Sequence, residues 1–430
     1  MPTWKIIILG LMVAAVFAVG GTTIYLWATL LEPIPTAVAV VGDTTRSVAT
    51  IELPSAWTPT LPPAPTVTPT LWSSTTMTLP NYQISYDDVL ERIGYLLGPY
   101  LQNVTTNSVI VAWETGGTSQ GAVVFGETEE YHSTVIEQET GTRHHVTLTG
   151  LKPYTIYHYR HLIDGIAFSE DLTFRSAAGP DHTTFNFVVY GDTHFDNNHH
   201  QAVVNKAIAL EPDFGLHVGD LVNDGREPTQ WDAFFEVERD LLTRLPLYPT
   251  LGNHEKSSEQ YFERFYLPGN ERWYSFDYGN ARFICLQVDG KTDITVNSDQ
   301  YRLLEKELTH NPKPWTFVFF HKSPFTSEYE GSREQHIRSS LTPLFEQYGV
   351  DIVFNGHNHN YQRSDVNDVI YVVTGGGGGA LSDSIEPDEH LLVSRSVYHL
   401  VHITIDGNIL TARAMTPDGE VFDHFNIYLP

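Results

Sequence analysis

Phe185–Asp196 reads FNFVVYGDTHFD. Phe185, Phe187, Val188, Val189 and Tyr190 make a run that is apolar on both faces, the pattern of a strand inside an α/β sheet. Gly191-Asp192-Thr193-His194 follows at its carboxyl end, where open α/β sheets bind ligands. An Asp and a His two residues apart, just past a strand, can aim a hard oxygen and an imidazole nitrogen at one metal ion. Taken singly, the pair reads better as a turn with a solvated His. The pattern recurs, however. Asp213–Asp220 (DFGLHVGD) ends in Gly-Asp, and Pro246–Glu255 (PLYPTLGNHE) ends in Gly252-Asn253-His254-Glu255. Trp315–His321 (WTFVFFH) and Val350–His359 (VDIVFNGHNH) complete the set. Five apolar strands thus each deliver Asp, Asn or His to the same end.

This order of motifs resembles the calcineurin-like metallophosphoesterases. Gly356-His357-Asn358-His359-Asn360-Tyr361-Gln362-Arg363, with the β module described below, is similar to the purple acid phosphatase branch. The likeness spans roughly residues 93–430. It implies a fibronectin III-like β-sandwich followed by a four-layer α/β/β/α metallophosphoesterase domain. It also implies two divalent ions, iron, zinc or manganese. Asp192, His194, Asp220 and His359 would hold one, and Asp220, Asn253, His321 and His357 the other. A carboxylate shared at Asp220 would screen the repulsion between the cations, and this mixed oxygen and nitrogen set suits transition metals better than calcium. Asp220 and His254 are the implied catalytic residues, with His254 stabilising the transition state and protonating the leaving oxygen. The implied activity is hydrolysis of small phosphate monoesters by hydroxide generated at the ion pair. A phosphodiesterase or nucleotide pyrophosphatase would use the same centre, and a non-catalytic surface adhesion module is the reading from another class.

Two positions depart from the branch. Asn223 stands where the branch carries the tyrosine that binds ferric iron and gives the colour, so a colourless protein is expected. His194 stands where glycine is usual and would fill the vacated coordination place.

The rest of the 430-residue chain frames this centre. With 52 acidic against 25 basic residues the net charge is −27, which disfavours nucleic acid as a partner. Cys285 is the only cysteine, so no intrachain disulfide or cysteine zinc site can form, and its apolar surroundings predict an inert thiol. Ile6–Leu31 holds no charged residue over 26 positions, enough to cross a bilayer as a helix. Residues 1–32 are expected to be a membrane anchor, with a cleaved signal segment as the alternative. Everything after Glu32 would then lie outside the cytoplasm. Residues 33–92 read as a linker without structure, because Pro54–Pro80 carries seven Pro and eight Thr and such composition cannot bury a core.

Residues 93–177 show short alternating strands divided by turns, the pattern of a β-sandwich. GPYLQNVTTNSVIVAWET and LTGLKPYTIYHYR resemble the amino-terminal module of the purple acid phosphatases, with His144, His145, His158 and His161 as strand residues. Over residues 183–430 strands alternate with amphipathic helices, predicted at Asn198–Leu210, Pro228–Leu245 and Arg333–Tyr348, which implies an α/β architecture. Asp406-Gly407 and Asp418-Gly419 mark hairpins between the last three strands. His199 and His200 read as solvated residues at a helix start, His217 as a core histidine, and Glu255 as an orienting group. Gly375–Gly379 lacks the Lys-Ser/Thr of a nucleotide loop and implies close backbone approach to the site. Tyr361 and Arg363 would either border the phosphate or brace the loop. Asn103-Val104-Thr105 is a glycosylation sequon in a host that uses one.

Overall fold

A computed structural model describes residues 85–94, 96–327, 331–383 and 389–430, together with the backbone of Ile7–Leu9, Met12–Ala14 and Ser47–Thr50. The anchor expected over Ile6–Leu31 otherwise lies outside the described residues. The six described within it form an antiparallel strand pair rather than helix. No helix among the described residues is long and apolar enough to cross a membrane. The Pro/Thr-rich stretch also falls outside them, but the expected linker ends earlier than Arg92. Tyr86–Ile93 is a helix whose start is fixed by Ser85 and Asp88, each accepting a hydrogen bond from the other's backbone N–H at 3.2 and 3.0 Å. This reciprocal cap satisfies two otherwise orphaned donors, while Val89 and Ile93 bury one face.

The amino-terminal β module is a single antiparallel sheet of six strands. Two strands expected at Ser108–Trp113 and Gly121–Phe125 are one element, Ser108–Gly126, with a register shift between Glu114 and Ser119. Its first half pairs with Leu96–Gln102 and its second with Ile156–Ile163. The alternation of side chains is blind to such a shift, because a bulge re-aims the strand without ending it. The module is tied to the rest of the chain through buried groups. Tyr100 and Tyr159 donate hydroxyl hydrogen bonds to the carbonyls of Arg264 (3.0 Å) and Thr243 (2.7 Å), and Tyr248 donates to that of Val104 (3.0 Å).

The remainder is built on two seven-stranded sheets. In the first, Thr184–Tyr190 runs parallel to Phe214–His217, which runs parallel to Leu247–Pro249. On its other side lies Leu400–Asp406, antiparallel, followed by Ile409–Met415 and Val421–Tyr428. The second sheet places Ala281–Cys285, Trp315–Lys322, Ile352–Gly356 and Val369–Thr374 side by side and parallel. The sheets face each other across aromatic rings. Phe187 meets Phe283 at 5.2 Å and Phe317 at 5.4 Å between centroids, both edge to face, a geometry favoured by ring quadrupoles. Ile284, Val318, Phe320 and Val353 pack instead against Leu304, Leu308, Ile337 and Phe345 of the helices beyond the second sheet. Burial on both faces explains why these strands read as unbroken apolar runs.

The helix expected over Arg333–Tyr348 is two, Ser332–Ser340 and Thr342–Tyr348. Pro343 stands in the first turn of the second helix, where it lacks the N–H to continue the first and its ring clashes with the preceding turn. The parallel strands all point their carboxyl ends toward the same edge of the two sheets, and the five motifs meet there.

Candidate metal centre

Asp192, Asp220 and His357 each sit just past a strand with φ of +57°, +54° and +70°. Non-glycine residues seldom adopt this conformation. It turns the chain sharply enough to send the side chain toward the gap between the sheets rather than onward. Space for it comes from the glycines of the same motifs. A Cβ at Gly252 would stand 2.1 Å from Asp220 Oδ1, and one at Gly356 would stand 2.4 Å from Asp192 Oδ2. The Gly375–Gly379 run closes over the loop, with Gly377 N–H donating to Gly191 O (2.9 Å) and Gly379 N–H to Asp192 O (2.7 Å).

The imidazoles are aimed by backbone carbonyls. His194 Nδ1 lies 3.1 Å from Asp220 O, His321 Nδ1 2.9 Å from Val218 O, and His359 Nδ1 2.8 Å from Ala380 O. A carbonyl only accepts, so each Nδ1 carries hydrogen and each Nε2 is left to face inward. His321 Nε2 is 3.0 Å from Asp220 Oδ2 and 3.2 Å from Asn253 Oδ1. His359 Nε2 is 3.5 Å from Asp192 Oδ1. His194 Nε2 is buried and has no hydrogen-bond partner. His357 differs: its backbone N–H donates to the Asp192 carboxylate at 3.0 Å, and its Nε2 meets Lys322 Nζ at 2.9 Å.

Ligating atoms of Asp192, His194 and His359 lie within 4.8 Å of one another, as do those of Asp220, His321 and His357. Asp220 also groups with His194 and His254, so one carboxylate touches both halves. The structure therefore brings together all seven residues singled out as ligands, with Asn253 entering through His321. An orphaned, buried Nε2 among two carboxylates and three further imidazoles is the donor chemistry that a pair of transition-metal ions requires.

The electrostatics follow from the same packing. Burial opposes the imidazolium at His321 and His359, but the Asp220 and Asp192 carboxylates outweigh it and raise both to about 9. His357 moves down to about 3 through burial and the charges of His321 and Lys322. Burial also lowers His194. Asp220 is held below the usual carboxylate range, because His321 outweighs its desolvation.

His254 donates its backbone N–H to Asp220 Oδ1 (2.8 Å), and its Nδ1 is 2.6 Å from Asn223 O. Its Nε2 then looks toward Asp220 Oδ2 at 3.9 Å. Glu255 is fully buried and accepts from Asp220 N–H (2.9 Å), Leu221 N–H (2.7 Å) and Gly252 N–H (2.6 Å). It thereby binds two motifs together.

Of the secondary residues, some behave otherwise than their sequence suggests and others as expected. His200 is not solvated: it is buried and pairs with Glu238 at 2.8 Å, which also accepts from Tyr190 OH. His199 pairs with Asp196 and stacks on Tyr398 at 3.8 Å. Tyr361 and Arg363 are buried and both donate to Asp423 at 2.5 and 2.7 Å, so they brace the sheet. His217 is a core residue between Gly219 N–H and Thr193 Oγ1. Cys285 is buried with its thiol pushed up to about 12 by desolvation. Lys322 and Glu238 were not foreseen. Lys322 adjoins His321 and was open to notice, whereas Glu238 lies on a helix with no local signal.

A calcineurin-like phosphoesterase family model matches residues 185–361, and a purple acid phosphatase N-terminal domain model matches 99–176. The chain thus carries a calcineurin-like phosphoesterase domain preceded by a purple acid phosphatase N-terminal domain. Among its relatives, the Arabidopsis thaliana "Probable inactive purple acid phosphatase 1" is 28% identical over 68% of this chain and 59% of its own. "Purple acid phosphatase 15" of the same plant is 29% identical over 59% of this chain and 56% of its own. The chain thus spans under two thirds of the length of both. The solved purple acid phosphatase from yellow lupin (Lupinus luteus) seeds shares its fold, with a TM-score of 0.67 at 20% identity over 77% of this chain and 74% of that one.

Proposed function

We propose that the chain is a metal-dependent hydrolase of small phosphate monoesters, acid phosphatase-like, working outside the cytoplasm from a membrane anchor. The observation that carries this reading is the position of Asp220, shared between two sets of ligating atoms in which the imidazoles of His194, His321 and His359 are already turned Nε2-inward. In it, Asp192, His194, Asp220 and His359 hold one ion and Asp220, Asn253, His321 and His357 the other. When bound, such a pair supplies Lewis-acid chemistry and lowers the pKa of water toward neutrality. The finer architecture, a fibronectin III-like module ahead of a four-layer domain over residues 183–430, belongs to the same proposal.

The chain's own residues supply the rest. His254, pinned at Nδ1 by Asn223 O, turns Nε2 toward the leaving oxygen, to which it would pass a proton from its imidazolium form. Glu255 accepts from both the Asp220 and Gly252 N–H groups and so fixes the Asp220 carboxylate relative to the Asn253-His254 pair. Metal analysis of the full chain followed by assay on mono- and bis-p-nitrophenyl phosphate tests the proposal. About two equivalents of metal and faster turnover of the monoester are expected. Preference for the diester would favour the phosphodiesterase reading. Metal-replete protein inert toward both would leave a surface module.

A further inference from the structure

Phe195 follows His194, and its side chain is 64% exposed where Asp192, Thr193 and His194 are buried. Its φ is +78°, a conformation that strains a bulky side chain and that Gly or Asn would occupy more readily. The turn has no room to relax. On one side Thr193 Oγ1 donates to Leu221 O at 3.1 Å, and on the other Asp196 caps the helix Asn197–Ala209 by accepting from Asn198 and His199 N–H. The outward ring stands edge-on to His194 at 4.4 Å and to His254 at 6.1 Å, and those two imidazoles stack at 4.6 Å. Three rings therefore form a continuous wall along one side of the metal centre, with the only apolar member at its outer end.

We infer that Phe195 is a specificity-determining residue that stacks on a planar aromatic group carried by the leaving alcohol of the ester. This rests on the phosphoesterase reading, in which His254 serves the leaving oxygen. The organic group beyond that oxygen then lies on the Phe195 side of the centre. Offset or edge-to-face contact of two rings favours the aromatic ester over a saturated one of similar size by about three- to tenfold.

Two matched pairs test it on the metal-loaded full chain: benzyl against cyclohexylmethyl phosphate, and adenosine 5′-monophosphate against ribose 5-phosphate. The first pair probes a simple aryl group and the second a nucleobase. In at least one pair kcat/KM is expected to favour the ring-bearing ester by about three- to tenfold. Phe195→Asn, which suits the left-handed backbone, and Phe195→Ala should bring that ratio to about one, and Phe195→Trp should keep it. The inference is overturned if the native protein discriminates in neither pair. It is equally overturned if the variants lower both esters together with the ratio intact, since the ring would then only brace His194 and His254. Metal-loaded native protein that cleaves none of the four esters would instead overturn the phosphoesterase reading itself.

Discussion

Glu255→Gln is nearly isosteric, and its consequence depends on whether Glu255 is a carboxylate or a neutral acid. Oε1 accepts from Leu221 N–H at 2.7 Å and Val222 N–H at 3.4 Å, and Oε2 accepts from Asp220 N–H at 2.9 Å and Gly252 N–H at 2.6 Å. Both oxygens are saturated with donors, so a proton on either would face an N–H. Against this, burial and the nearby Asp220 push the carboxyl up to about 8. Four donors on two oxygens argue that the native group is ionised. In the glutamine variant one oxygen becomes an NH2 that confronts two backbone N–H groups. Each buried donor left without an acceptor costs about 1–3 kcal/mol, and the long Val222 contact contributes least, so a loss of about 2–4 kcal/mol is expected. Urea unfolding of metal-free native and variant protein reads it as a shift in midpoint at constant slope. A change below about 0.5 kcal/mol would refute the reasoning and identify a neutral acid that glutamine imitates. A pH series gives an independent check. A group protonated in the fold but released on unfolding would make stability fall as pH rises from 4.5 toward about 8, and an ionised Glu255 would show no such decline.

Because His321 and His359 are raised to about 9, both are protonated in metal-free protein at neutral pH. Metal uptake there should release about two protons, fading as pH rises through 9, which titration calorimetry in buffers of different ionisation enthalpy detects. Asp220→Asn removes the shared carboxylate and should lower bound metal from about two equivalents toward one or none, with ester hydrolysis falling by at least about a hundredfold. Asp423→Ala strands the buried Arg363 guanidinium, held at 2.7 and 3.1 Å. It should destabilise the fold by about 3–5 kcal/mol, and an effect on activity without one on stability would contradict the bracing role. With Asn223 at the tyrosine position, iron-loaded protein should lack a visible tyrosinate charge-transfer band.

The chain's alternation of apolar runs with Gly-Asp, Gly-Asn-His and Gly-His-x-His was enough to place Asp, Asn and His at the carboxyl ends of the strands, because a strand's end and the residue after it are adjacent in sequence. The same locality offers Asp192, His194, Asp220, Asn253, His254, His321, His357 and His359 as candidates, and it is the resemblance to the phosphoesterases that assigns their roles. Whether His200 is solvated or joined to Glu238, 38 residues away, has no local signature. Likewise Tyr361 and Arg363 find Asp423 only because distant strands come together. Which imidazole nitrogen faces inward is decided by carbonyls such as Val218 O, 103 residues before His321. Residue type and order state which donors are available. Their direction, protonation and partners are set by contacts between segments far apart in the chain, which come into being only once the two sheets have closed on their shared aromatic core.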